Sequence, residues 1–161
     1  MKNISQDTIE KYFHTKYDFK KRHNPKVYLV DDNIDDLKIG CLSLRESDNI
    51  SDVCPISSPD QLFQELEETG LYETIEYSDK NAPIIILDLH MPTMDGIEVL
   101  QRIRNHPITA DFAVILLSTD QTGYKMRDAY ELNASGYLSK PFKLEEFHTV
   151  LQNIKKNKGY S

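Results

Sequence analysis

The sequence lacks a long apolar segment and contains few cysteines. Among its 161 residues, the longest apolar runs lie around Ile84–Leu89 and Phe112–Leu117, and both are far shorter than the roughly 18 residues that a membrane-spanning helix needs. Met1–Glu10 carries no apolar stretch of the kind found in secretory signals. Cys41 and Cys54 stand among apolar neighbours, so we expect reduced core residues and not a disulfide framework. These absences favour a cytoplasmic globular protein without membrane insertion.

Positive charge is scarce outside the N-terminal segment. The formal net charge is −7, yet residues 1–26 contain seven Lys or Arg against three Asp or Glu. The rest of the chain contains twelve basic residues against twenty-three acidic ones. Because this part of the chain has a large excess of acidic residues, it would repel nucleic acid, and we expect no direct nucleic-acid partner. We divide the chain into a basic extension at 1–25 (a short helix or a disordered segment), a domain at 26–156 and a tail at 157–161.

Short apolar segments alternate with amphipathic ones after the extension. The predicted strands are Val27–Val30, Val53–Ser57, Pro83–Leu89, Phe112–Leu117 and Tyr137–Ser139. The predicted helices follow Asn33, span Asp60–Thr69, Gly96–Arg104 and Leu144–Ile154, and include one more between the last two strands. Strands that are apolar throughout, alternating with helices, indicate a doubly wound α/β domain with a five-stranded parallel sheet covered on both faces. Pro55 removes a backbone donor, so we expect the second strand at a sheet edge.

Polar side chains stand at the carboxyl ends of the predicted strands, where ligands bind in such sheets. They are Asp31, Asp32, Asp88, Ser118 and Lys140. Clustered carboxylates need a cation between them, and two or three carboxylates with water suit Mg²⁺. The segment that begins at Asp31 lacks the glycine and the late glutamate of a calcium loop. A carboxylate beside Mg²⁺ can attack phosphorus as a nucleophile, while Lys140 and Ser118 stabilise the transferred group.

Four motifs in chain order carry a resemblance to a known family. They are VYLVDD at 27–32, ILDLHMPTMDG at 86–96, ILLS at 115–118 and ASGYLSKPF at 134–142. From about Lys26 to Ile154, the chain resembles the receiver domain of bacterial two-component response regulators. The resemblance implies a flavodoxin-like sheet with strand order 2-1-3-4-5. It also implies a domain that receives a phosphoryl group from a sensor histidine kinase or a histidine phosphotransfer protein.

The resemblance assigns a role to each acidic residue at the strand ends. Asp88 matches the phosphoacceptor of the family. Asp32 and Asp88 match direct Mg²⁺ ligands, Asp31 matches a ligand acting through water, and the backbone carbonyl of His90 matches a further ligand. The side chain of His90 is then expected to face solvent. Gly96 matches a glycine that the family needs in the turn before the third helix.

Other positions match the residues that respond to phosphorylation in this family. Ser118 matches the residue whose hydroxyl turns toward the phosphoryl group. Tyr137 matches the aromatic switch residue that moves in response to the hydroxyl, and Lys140 matches the cation of the family's site. The resemblance also implies a cis Lys140–Pro141 peptide bond. The response is expected on the face formed by the fourth helix, fifth strand and fifth helix, around residues 121–150, where a downstream protein would bind.

Three residues beside the acceptor are predicted to set the lifetime of the phosphoryl group. His90 and Asp120 match positions that flank the path of the hydrolysing water. Thr119 departs from the family, which usually has a very small residue there, and it adds bulk near Asp88. A second departure is the long irregular connection at 70–82. We expect a signalling domain that phosphorylates itself from small donors and loses the group by autodephosphorylation, and not an enzyme with a separate substrate.

Two other classes of function compete with this interpretation. A phosphohydrolase of the haloacid dehalogenase type needs a second Asp two residues after the nucleophile, where this chain has His90. A binding module that works without phosphorylation would be favoured by loss of an acidic residue or the lysine, and none is lost. Because the chain ends soon after the last predicted helix, we expect a stand-alone regulator or adaptor. The receiver of a larger regulator with an output domain is the alternative, and a homodimer stays open.

Overall fold

In the part of the chain that the structure describes, five parallel strands form the main sheet. The computed structural model describes residues 24–68, 82–91, 94–107, 109–119 and 124–157. The strands are β1 (Lys26–Val30), β2 (Asp52–Ile56), β3 (Ile84–Asp88), β4 (Ala113–Ser118) and β5 (Gly136–Ser139). Their order in the sheet is β2-β1-β3-β4-β5, and every neighbouring pair is parallel. The predicted fold class and strand order are confirmed.

Five helices cover this sheet within the described residues. They are α1 (Ile34–Arg45), α2 (Pro59–Glu68), α3 (Gly96–Asn105), α4 (Tyr124–Glu131) and α5 (Leu144–Asn157). None of these helices has the length and apolar character that crossing a membrane requires. Residues 1–23, most of the predicted connection at 70–82, Asp120 and residues 158–161 lie outside the described residues, so the predictions about them stay predictions.

The strands separate two apolar cores, one on each face of the sheet. In β3, Ile85 and Leu87 join the core beneath α2, α3 and α4, whereas Ile84 and Ile86 join the core beneath α1 and α5. Successive side chains of a strand point to opposite faces, so a strand buried on both faces is apolar over most of its length. This is why β3 and β4 appear in the sequence as apolar runs, each ending at one polar residue, Asp88 or Ser118.

Several helix and strand ends differ from the predicted ones, and local chemistry explains the start of α2. Helix α2 begins at Pro59 and not at Asp60, because proline suits the first helical position and Ser58 Oγ accepts a hydrogen bond from the Gln61 N–H at 3.2 Å. Strand β4 begins and ends one residue later than predicted, and α5 continues three residues beyond Ile154. Pro55 lies in β2, which is an edge strand as predicted.

A short antiparallel ribbon follows β3, and the sequence did not predict it. His90–Met91 pairs with Met94–Asp95, and Asp95 caps the start of α3. Gly96 is required here, because a Cβ at this position would lie 2.7 Å from Leu89 Cα and 2.8 Å from the Asp88 carbonyl oxygen. The start of α3 therefore packs directly against the backbone that carries Asp88.

Both cysteines are free, as predicted. Cys41 is buried in the core beneath α1 and α5, and Cys54 is half-buried against the core on the other face of the sheet. Burial raises the pKa of both thiols, so they are weak nucleophiles at neutral pH.

Candidate functional site

The carboxyl ends of four strands bring four predicted site residues to one edge of the sheet. Asp31 follows β1, Asp88 ends β3, Ser118 ends β4 and Lys140 follows β5. The Lys140 N–H donates to the Ser118 carbonyl oxygen at 3.2 Å, which ties the last two strand ends together. Asp31, Asp88 and Ser118 are each only 2% exposed. This edge therefore presents three buried polar side chains beside one lysine.

The Lys140 ammonium group lies among three carboxylates. Its Nζ donates to Asp31 Oδ2 at 2.5 Å, to Asp88 Oδ2 at 2.6 Å and to Asp36 Oδ2 at 3.0 Å. The side chains of Asp31 and Asp88 are almost completely removed from water, whereas that of Asp36 is 46% exposed. A buried carboxylate is costly unless it is paired, and Lys140 supplies that partner for both buried residues.

Asp36 reaches this site because of the way α1 begins. Asn33 caps the helix, which follows it as predicted, and its side-chain oxygen accepts a hydrogen bond from the Asp36 N–H at 3.0 Å. The Asn33 N–H in turn donates to Asp31 Oδ1 at 2.9 Å. The turn after β1 thereby fixes one carboxylate and directs the first turn of α1 toward Lys140. Sequence reasoning missed Asp36, although a carboxylate in the first turn of a helix that starts at this edge was a usable signal.

Burial and ion pairing shift the pKa values of two of these groups, Asp31 and Lys140. Burial raises the pKa of the Asp31 carboxyl, Lys140 and the Asn33 N–H lower it, and Asp88 raises it, with a net rise. For Lys140, burial lowers the pKa, but hydrogen bonds to Asp31, Asp88 and Asp36 together outweigh burial and raise the pKa above its ordinary value. Lys140 therefore stays charged at neutral pH. One ammonium group faces three carboxylates, so the site carries an excess of negative charge.

A cleft of about 500 Å³ opens over this edge. Its lining residues are Asp31, Asp32, Asn33, Asp36, Asp88, His90, Thr119 and Lys140. Carboxylate and carbonyl oxygens are the donors that Mg²⁺ accepts, and the excess negative charge favours a cation. Among the described residues, no three Asp, Glu, His or Cys side chains already form a metal cage. The donor chemistry fits Mg²⁺, while Lys140 is the cation that bridges Asp31 and Asp88.

His90 makes a contact that the sequence did not predict. Its side chain is exposed, as expected, and its N–H donates to Asp88 Oδ1 at 2.9 Å. Its ring Nε2, however, shares a hydrogen bond with Ser118 Oγ at 3.0 Å. Residues two apart in an extended segment point to the same side, so the spacing from Asp88 was the available signal. The predicted switch hydroxyl is thus bonded to the residue two positions after the predicted acceptor.

The structure also describes Tyr137, Thr119 and the predicted cis peptide bond. Tyr137 is half-buried in β5, and burial raises the pKa of its phenol, with a further contribution from Tyr130. Thr119 is exposed and lines the cleft together with Lys140. The Lys140–Pro141 peptide bond is cis, as predicted.

Comparisons with known proteins agree with this architecture. Residues 27–152 match the family model described as the response regulator receiver domain. The transcriptional regulatory protein CiaR of Streptococcus pneumoniae is 30% identical over 136 residues, which cover 83% of this chain and 53% of that protein. The sensory transduction protein LytT of Oceanobacillus iheyensis is 39% identical over 80 residues, covering 50% of this chain and 32% of that protein. The chain thus spans about half or less of the length of these curated relatives.

A solved structure shows the same fold. A two-component response regulator from Cytophaga hutchinsonii superposes with a TM-score of 0.68 at 21% identity, covering 84% of this chain and 99% of that chain. Receiver domains are typically signalling domains without enzymatic activity. They generally bind Mg²⁺ at their phosphorylation site, and they interact with histidine kinases or phosphotransfer proteins. With its family match, strand order and carboxyl-edge site in agreement, the chain belongs to the receiver domains of two-component response regulators.

Proposed function

We propose that Asp88 accepts a phosphoryl group and that this event changes which proteins the domain binds. The observation that carries the proposal is the environment of the Asp88 carboxylate. It is 2% exposed at the end of β3, its Oδ1 accepts from the His90 N–H at 2.9 Å, and its Oδ2 accepts from Lys140 Nζ at 2.6 Å. A nucleophile held in one position beside a fixed cation suits phosphoryl transfer, which depends mainly on positioning and charge.

The side chains at this edge supply the protein's own part of the transfer. An Asp88 oxygen forms a bond to phosphorus while the bond from phosphorus to the donor's leaving atom breaks, and the leaving atom keeps the electron pair. The Lys140 ammonium group balances charge that develops on the phosphoryl oxygens. The Ser118 hydroxyl, on the neighbouring strand end, can donate a hydrogen bond to the transferred group.

The acidic residues supply the ligands for Mg²⁺. Asp32 and Asp88 would hold it directly, Asp31 through water, and His90 through its backbone carbonyl. When bound, the ion supplies positive charge that offsets the phosphoryl oxygens and the excess of carboxylates around Lys140. A sensor histidine kinase or a histidine phosphotransfer protein would be the donor in the cell, and small phosphodonors would serve in its absence.

Phosphorylation of a variant series tests this assignment. The protein is incubated with Mg²⁺ and acetyl phosphate, and intact-mass spectrometry counts the phosphoryl groups added. We expect one group on the parent and none on Asp88→Asn. Asp36→Asn is the matched control, because it neutralises another carboxylate that contacts Lys140, and it should still be labelled. Undiminished labelling of Asp88→Asn would refute the acceptor assignment.

The proposed output face consists of α4, β5 and α5. Tyr137 of β5 is half-buried there, and Tyr130 of α4, which is 77% exposed, adds to the rise in the pKa of its phenol that burial causes. If Ser118 moves toward the phosphoryl group, Tyr137 can fill the space that its movement opens, and a downstream protein would detect the change. Amide hydrogen exchange with and without beryllofluoride, a phosphoryl mimic, should differ on this face. A difference confined to α1 would contradict the proposal.

A further inference from the structure

A hydrogen bond joins His90, two positions after the proposed acceptor Asp88, to Ser118, the predicted switch residue. The distance between His90 Nε2 and Ser118 Oγ is 3.0 Å, which is within the normal range for a hydrogen bond. Ser118 is 2% exposed at the end of β4. Rotation about one torsion angle decides where a serine hydroxyl points. The position of Oγ therefore depends on which neighbours bind it.

The backbone of His90 is well anchored although its ring is exposed. Its N–H donates to Asp88 Oδ1 at 2.9 Å, and it pairs with Asp95 in the ribbon before α3. The close packing of Gly96 against the Asp88 and Leu89 backbone supports this ribbon from behind. The imidazole thus projects from a fixed point, and it can act as a stationary partner for the hydroxyl of Ser118.

We propose that His90 is a positioning residue that holds Ser118 in its unphosphorylated arrangement. This inference rests on the proposed function, because a phosphoryl group on Asp88 must draw the hydroxyl away from the imidazole. The bond then stabilises the inactive arrangement and reduces the population that is ready to bind a phosphoryl group. A ligand that binds only the minor arrangement has its apparent affinity reduced by the size of that population.

A test of this role must distinguish the effect of the hydrogen-bonding nitrogen from the effect of the volume of the ring. His90→Phe keeps an aromatic ring over the cleft and removes the nitrogen, whereas His90→Gln restores a polar group that can reach Ser118. We expect His90→Phe to bind beryllofluoride, in the presence of Mg²⁺, about two- to tenfold more tightly than the parent, as loss of one hydrogen bond predicts. His90→Gln should return the affinity toward that of the parent.

A double-mutant cycle identifies Ser118 as the residue through which His90 acts. In the Ser118→Ala background, His90→Phe should leave beryllofluoride affinity unchanged within about twofold, because the bond is already absent. Urea unfolding of the same four proteins without beryllofluoride should show coupling of about two- to tenfold in the unfolding equilibrium constant. A merely structural role for the ring would not depend on Ser118 and would not be rescued by glutamine.

The outcomes separate this inference from the proposed function. If the parent is phosphorylated on Asp88 but His90→Phe binds beryllofluoride with equal or weaker affinity, the restraining role is wrong. Absence of coupling between the two residues in urea unfolding overturns it as well. A parent that acetyl phosphate does not label overturns the proposed function itself, whatever the coupling between His90 and Ser118.

Discussion

Removing the cation from the centre of the site should destabilise the fold at neutral pH. Lys140→Met keeps a side chain of similar length but leaves Asp31 and Asp88, each 2% exposed, without their shared partner. Breaking a buried ion pair by removing one partner costs about 3–5 kcal/mol. Lys140 is itself 17% exposed and its third contact, Asp36, is 46% exposed, so we expect a loss of about 2–4 kcal/mol in the free energy of unfolding.

The pH dependence of this loss follows from the direction of the Asp31 shift. The pKa of Asp31 is raised above its ordinary value of 3.8, so the folded protein retains this proton to a higher pH than the unfolded chain. Such a group contributes stability that is complete below the unfolded pKa and is lost as pH rises through the folded pKa. Lys140 lowers the Asp31 pKa, so Lys140→Met should raise it further. The deficit of the variant should therefore be largest at neutral pH and should shrink toward pH 4.

Urea unfolding of the parent and two variants across this pH range measures the effect. Lys143→Met is the matched control, because Lys143 is exposed and lies three residues further along the chain. It should change stability by no more than about 0.5 kcal/mol. Mg²⁺ should stabilise Lys140→Met more than the parent, since it would supply charge that the variant lacks. If Lys140→Met matches the control at pH 7, or loses equal stability at pH 4 and pH 7, the charge balance inferred for this site is wrong.

Two further predictions concern the metal and a second cation, the half-buried Arg104. If the Kd is in the millimolar range, 10 mM Mg²⁺ should stabilise the parent by about 1–1.5 kcal/mol. Asp32→Ala should lose this stabilisation. If Mg²⁺ raises the melting temperature of that variant as much as that of the parent, Asp32 is not a ligand. Arg104 donates to four main-chain carbonyls at 2.7–2.9 Å. Arg104→Met should lower the free energy of unfolding, measured in urea, by about 2–4 kcal/mol. The control Arg102→Met removes a mostly exposed ion pair and should lower it by less than about 1 kcal/mol. Equal losses in the two variants would refute this reasoning.

The sheet could be predicted from the sequence because burial on both faces leaves a strong pattern. In β3 every residue is buried, including Asp88 at its end, so the strand appears as an apolar run that stops at a polar residue. Pro55 identified the edge strand for an equally physical reason, since it has no N–H to donate. Helix ends were less predictable, because the residue at which a helix begins depends on which nearby side chain caps it. In α2 that side chain is Ser58, which accepts a hydrogen bond from the Gln61 N–H.

The site could be predicted as a set of residues but not as a network. Asp31, Asp88, Ser118 and Lys140 follow strands, and the carboxyl ends of parallel strands meet at one edge. The contact of Lys140 with Asp36 depends on the orientation of α1, which the cap at its start decides. The two-residue spacing of His90 from Asp88 indicates the side to which the His90 side chain points. It does not identify Ser118 as the partner, because that contact also depends on the course of the chain after β3.

From the charge balance at this edge, we expect phosphorylation to be linked to metal binding. Asp31, Asp36 and Asp88 share one ammonium group, and a phosphoryl group adds roughly 1.5 to 2 negative charges. Lys140 cannot offset that addition alone, because it already serves two buried carboxylates. Phosphorylation should therefore depend on Mg²⁺. Because coupling between two binding events is reciprocal, the phosphoryl group should raise Mg²⁺ affinity by the same factor by which Mg²⁺ favours the phosphorylated state.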